Sequence, residues 1–137
     1  KERQKIQKES ISLEWNLIKN NSDFTLLPHT DVSPKLLNIL FYIPSSKEYS
    51  QCGTSIYLPK IEKNRKDPSS RKQYLTDSFL PFNLFHKLKT FPYVPNSSFS
   101  FIRSDNSFHA VEPLKQDFIE RDILNFIITS THKEPRI

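Results

Sequence analysis

His29 and Asp31 stand two residues apart in the run Leu27-Pro28-His29-Thr30-Asp31. In an extended chain, residues i and i+2 project to the same face, so an imidazole and a carboxylate would lie side by side. That suits two ligands of one metal ion. A turn in which an Asp side chain bonds nearby backbone amides would look the same in sequence. His109, in the run SDNSFHAVEP between two strand-like stretches, adds a third candidate ligand, and Arg121 follows twelve residues later. A hairpin centred near Lys115 would set Arg121 almost opposite His109, with side chains ~5 Å apart on one face. A third ligand and a fixed cation would then share one wall. Two His and one carboxylate with open positions make the donor set of non-heme iron(II) oxygenases.

These residues need a framework that points them inward. Residues 1–22 read as a flanking helix, with Ile6, Ser10, Leu13, Leu17 and Ile18 on one side and Lys and Glu on the other. After that the period changes to two. Short strands are expected at 24–27, 36–43 (LLNILFYI), 54–58 (TSIYL), 98–103 (SFSFIR), 108–111 and 123–128 (ILNFII), punctuated by Pro, Asn and Ser. Residues 60–76 are polar and basic and read as a loop insertion, expected to be weakly ordered. It is either a solvated loop or a lid that grips an anionic substrate. The aromatic stretch 79–91 has room for a helical turn. One helix followed by six or seven short strands implies an all-β core, an antiparallel sandwich or barrel over residues 23–130.

The ordered set HTD, KLLNILFYIP, GTSIYLP, PNSSFSFIRSDNSFHAVEP and RDILNF resembles the 2-oxoglutarate- and iron(II)-dependent oxygenases, specifically their prolyl-hydroxylase-like branch and its uncharacterised bacterial members. The resemblance runs from residue 24 to residue 128. It implies a double-stranded β-helix, a jelly-roll barrel of the cupin-like kind. It implies Fe(II) on His29, Asp31 and His109, and 2-oxoglutarate as cosubstrate with O2. Arg121 would pair with the distal carboxylate of 2-oxoglutarate, for which a planar, permanently charged fork is well suited. Tyr42 is read either as a hydrogen-bond donor to that same carboxylate or as ordinary core, and Asn38, on the same strand face, as a further lining residue. The chain departs from the family's pattern at Cys52-Gly53, where two glycines are frequent, at Ala110, where a glycine often follows the distal His, and at Ile123, where many relatives carry Ser.

Composition limits the alternatives. The 137 residues suit one domain and carry 11 Phe, too many rings for a disordered chain. No apolar run approaches the ~20 residues of a membrane span. One Cys excludes internal disulfides and cysteine-based zinc sites, and one Gly excludes a glycine-rich phosphate loop. There is no Met, so Lys1 is not read as a native start and the natural N-terminus is expected to be missing. No signal peptide is visible, and a cytoplasmic location is expected. The formal charge of +5 is dispersed and does not mark a nucleic-acid partner. His86 and His132 are expected at the surface or in packing, not on a metal. The substrate class stays open between a small molecule and a protein side chain, as does oligomeric state. Two rival functions fit the same triad: a jelly-roll module that binds without turnover, and a zinc hydrolase.

Overall fold

The computed structural model describes residues 11–60, 78–114 and 120–130. It contains eight strands: β1 (Ile11–Asn20), β2 (Leu26–His29), β3 (Lys35–Tyr42), β4 (Ser55–Pro59), β5 (Phe85–Thr90), β6 (Ser98–Ile102), β7 (His109–Val111) and β8 (Arg121–Ser130). Every pairing is antiparallel. The strands form two four-stranded sheets, ordered β1-β8-β3-β6 and β2-β7-β4-β5, with no closed barrel among the described residues. The all-β class expected from period-two patterning is therefore present. No described helix is long and apolar enough to cross a membrane.

Strand β8 shows why the pattern works. Arg121, Ile123, Asn125 and Ile127 are buried, while Asp122, Leu124 and Phe126 between them are only partly so. The buried set faces the space between the sheets. There Ile123 packs with Tyr42 of β3, Phe99 of β6 and Val111 of β7. Full burial of an aliphatic or aromatic side chain stabilises by about 1.5–3 kcal/mol. A second cluster, Tyr57, Phe85, Phe108 and Ala110, is covered by Leu80, Phe82 and Leu84, the last two in a 3-10 turn at Phe82–Leu84. The helical turn expected in the aromatic stretch 79–91 is this one, and β5 follows it directly.

Two expectations are corrected. The described part of the proposed N-terminal helix is strand β1, paired along its length with β8 from Ile11↔Ser130 to Asn20↔Arg121. Ile11, Leu13, Trp15 and Leu17 alternate on its outer side, and Trp15 stacks on Phe126 at 4.3 Å between ring centroids. The segment carries apolar residues at both helical and strand spacing, and ladder bonds to β8 decide the contest in favour of the strand. Residues 1–10 lie outside the described residues, as do 61–77, which hold all but the first residue of the loop insertion, and His132.

The second correction concerns the hairpin. His109 and Arg121 are not neighbours on one sheet. His109 pairs with His29 of β2 and Ile56 of β4, and Arg121 pairs with Asn20 of β1. The chain crosses from one sheet to the other between β7 and β8, so the two side chains line one cavity from opposite sheets.

Candidate metal centre

His29 ends β2, Asp31 lies just beyond it, and His109 opens β7, the partner of β2. One ligand atom from each lies within 4.8 Å of the others. Metal–ligand bonds of ~2.1 Å need somewhat closer spacing than this. The two imidazole rings stand 4.3 Å apart between centroids. Each is held the same way: His29 Nδ1 donates to the Leu27 carbonyl at 2.9 Å, and His109 Nδ1 donates to the Ser107 carbonyl at 3.0 Å. A carbonyl only accepts, so Nδ1 carries the proton in both rings, and in the neutral ring Nε2 keeps its lone pair. This is how metal-binding histidines are commonly oriented.

Electrostatics agree with that chemistry. Burial pushes the His109 pKa down to about 4, with His29 beside it adding to the effect. Burial also lowers His29, partly opposed by its bond to Leu27. Both rings are thus neutral at pH 7. For Asp31, burial works against ionisation, but Lys35, His109 and the hydrogen bonds from Lys35 and Asn38 together hold the carboxyl below its usual range. Lys35 Nζ donates to Asp31 Oδ1 at 2.9 Å, and Asn38 Nδ2 donates to Oδ2 at 3.2 Å. Two neutral imidazoles and one carboxylate fit a divalent first-row ion such as Fe(II).

The triad lines a cavity of about 160 Å³ shared with Lys35, Asn38, Thr54, Arg121, Ile123 and Asn125. Arg121 is 2% exposed. Its Nε donates to the Cys52 carbonyl at 2.7 Å, one terminal nitrogen donates to Asn20 Oδ1 at 3.0 Å, and the other to Thr54 Oγ1 at 3.2 Å. Three of its five N–H donors are thus engaged, all with neutral oxygens. No carboxylate among the described residues pairs with it. Burial lowers its pKa, with Tyr42 and Tyr93 pulling the other way, yet a guanidinium stays charged in proteins.

Asn38 lines the cavity as expected, with its Nδ2 donating to Asp31 and its Oδ1 buried without a partner among the described residues. Tyr42 is placed differently. Its hydroxyl donates to Thr54 Oγ1 at 2.9 Å and accepts from the Thr54 backbone N–H at 3.1 Å, and its ring lies under the guanidinium. Thr54 Oγ1 accepts from both Tyr42 and Arg121, which leaves its own O–H to donate. The residue that presents a hydroxyl beside Arg121 is therefore Thr54, backed by Tyr42. His86 is exposed on β5 and apart from the site. A second, largely apolar cavity of about 220 Å³, lined by Phe99, Phe101 and Phe108, uses His109 as a common wall.

Sequence reasoning missed Lys35, Asn20, Thr54 and Asn125. Asn125 was within reach, since residue i+4 on a strand shares the face of residue i. Asn20 was hidden by the helical reading of its segment.

Gly53 is required for close approach. A Cβ there would overlap the Phe91 carbonyl oxygen. Backbone bonds Phe91 N–H to Thr54 O and Tyr93 N–H to Ser50 O, both 2.9 Å, clamp the two segments on either side of it. This clamp fixes the Cys52 carbonyl and Thr54, and so fixes Arg121. No protein-family model, no curated protein and no solved structure matches the chain.

Proposed function

We propose that this chain is a 2-oxoglutarate- and Fe(II)-dependent dioxygenase with a jelly-roll core, hydroxylating an aliphatic C–H bond and releasing succinate and CO2. The observation that carries the proposal is the buried Arg121, which has no carboxylate partner among the described residues and lines the same cavity as a His-Asp-His cluster. An unpaired buried charge is costly. An anionic ligand that also reaches the metal offsets that cost, and a keto diacid has this shape. The strand orders support the jelly-roll reading, because the chain alternates between sheets at nearly every step.

His29, Asp31 and His109 would hold the ion, and their count leaves positions for cosubstrate and O2. Bound Fe(II) supplies the oxidative chemistry, with 2-oxoglutarate as the electron source. The chain's own residues do the positioning. Arg121 and the Thr54 hydroxyl grip the distal carboxylate. Ile123 lies between Arg121 and Asn125 on a stretch of β8 about 13 Å long and gives the methylene carbons an apolar wall. Asn38 fixes the Asp31 carboxylate. Supplying Fe(II), 2-oxoglutarate and O2 without substrate should give slow succinate formation. Absence of succinate from a chain that binds Fe(II) would refute the oxygenase reading and leave the binding-module and hydrolase alternatives.

A further inference from the structure

The cavity wall carries one charge more than its proposed contents need. Among the described residues its charged side chains are Asp31, Lys35 and Arg121, and histidines that hold a metal do so as neutral rings. The wall's formal charge is therefore +1. A divalent ion and a dianionic diacid cancel each other and leave that +1 in place. Arg121 is spoken for by the diacid. The surplus then belongs to Lys35.

Lys35 is also the group whose present partner the metal would take. Its Nζ occupies Asp31 Oδ1 at 2.9 Å, and Oδ2 is bonded by Asn38. A divalent ion held by that carboxylate would repel the ammonium bonded to it, and such repulsion is strong where water is scarce. Lys35 has somewhere to go. Its side chain is 30% exposed while that of Asp31 is 6%, so the ammonium stands on the solvent side of the site. Four rotatable bonds let it swing without backbone movement.

We propose that Lys35 recognises the substrate: metal binding releases it from Asp31, and the freed ammonium binds an anionic group, carboxylate or phosphate, on the molecule to be oxidised. This rests on the metal and cosubstrate reading above, and the substrate class it assigns is a small anion or an anionic side chain. The neighbouring apolar cavity lined by Phe99 and Phe101 is not involved.

The test uses calorimetry with Mn(II) in place of iron, so that no turnover occurs. Mn(II) is titrated into the original chain and into Lys35→Met, Lys35→Gln and Lys35→Arg. Inorganic phosphate is then titrated into each chain loaded with Mn(II) and 2-oxoglutarate. Lys35→Met should bind Mn(II) at least about tenfold more tightly, because a competitor is gone, and phosphate at least about tenfold more weakly, each corresponding to ~1.4 kcal/mol. Lys35→Gln, which keeps a polar head, should behave like Lys35→Met and serves if the methionine variant does not fold. Lys35→Arg should retain phosphate binding. Unchanged Mn(II) and phosphate affinities in folded Lys35→Met and Lys35→Gln would overturn the role of Lys35 and leave the oxygenase reading standing. Failure of the original chain to bind Mn(II) or 2-oxoglutarate would overturn both.

Discussion

Replacing Arg121 by Ala should separate cosubstrate binding from metal binding. Among the described residues, Cys52, Asn20 and Thr54 take three of the five N–H donors of Arg121, so two are left for a ligand. A hydrogen bond to a charged group contributes about 1.5–3 kcal/mol. Two such bonds to a carboxylate would then stabilise the complex by about 3–6 kcal/mol, less what water filling the truncated site restores. The floor is ~1.4 kcal/mol, a loss of about tenfold in 2-oxoglutarate affinity. Arg121→Ala also leaves the Cys52 carbonyl and Asn20 Oδ1 without their donor, at a cost of about 1–3 kcal/mol each, offset in part by removal of a buried charge. The melting temperature should therefore fall while the fold survives. Calorimetry with Mn(II) gives both affinities in one experiment. Mn(II) should bind the variant almost as it binds the original chain, since Arg121 touches none of the three ligands. Arg121→Lys should recover only part of the loss, because a point charge does not reproduce the fork. An unchanged 2-oxoglutarate affinity in a folded Arg121→Ala would refute the assignment of Arg121 and remove the main support for the function.

Asp31→Ala should weaken metal binding by at least about a hundredfold, as it deletes the one anionic ligand and strands Lys35 beside an empty position, whereas His86→Ala, on the exposed face of β5, should leave metal titrations unchanged. The metal-free protein should lose stability on acidification: His109 titrates near pH 4 when folded and near 6.5 when unfolded, so protons favour the unfolded chain. That contribution is complete above pH 6.5, declines from there to about pH 4, and amounts to roughly 3–4 kcal/mol; urea midpoints independent of pH across this window would contradict it. Metal uptake at pH 7.5 should release almost no protons, seen as binding heats that do not vary with buffer ionisation enthalpy. Gly53→Ala should cost more than about 3 kcal/mol, because the new methyl meets a backbone carbonyl that two flanking bonds hold in place; a chain with an unaltered melting temperature would show that the clamp can open.

The parts of the molecule that the sequence made legible are those governed by local periodicity. LLNILFYI announces a strand over 36–43, and β3 covers Lys35–Tyr42. The spacing of His29 and Asp31 announces a shared face, and the two do converge with His109. The conflict at residues 11–20 was decided by β8, more than a hundred residues away, and nothing local could reveal it. The crossing between β7 and β8 was invisible for a similar reason: a hairpin and a change of sheet leave the same pattern of apolar and polar residues. Arg121 was assigned to the site by a hairpin that the fold does not contain and by family resemblance, and its burial without a carboxylate partner among the described residues is a property of the assembled fold. Thr54 escaped notice because its role depends on Tyr42 and Arg121 meeting it from strands of the other sheet.

The inner face of β8 has a consequence for how the molecule tolerates change. Arg121 and Asn125 belong to the site, Ile123 and Ile127 to the core, and they alternate along one strand. A slip of one residue against β1 or β3 inverts the parity of every side chain on β8. It would bury Asp122, Leu124 and Phe126 and turn Arg121 outward together with Ile123. A misregistered chain therefore cannot keep its oily interior and lose only its guanidinium, or the reverse. The buried guanidinium and the apolar core are written on the same alternate positions, so insertions or deletions within β8 are counted in pairs: odd ones displace both at once, and even ones move the cation along the cavity without turning it to solvent.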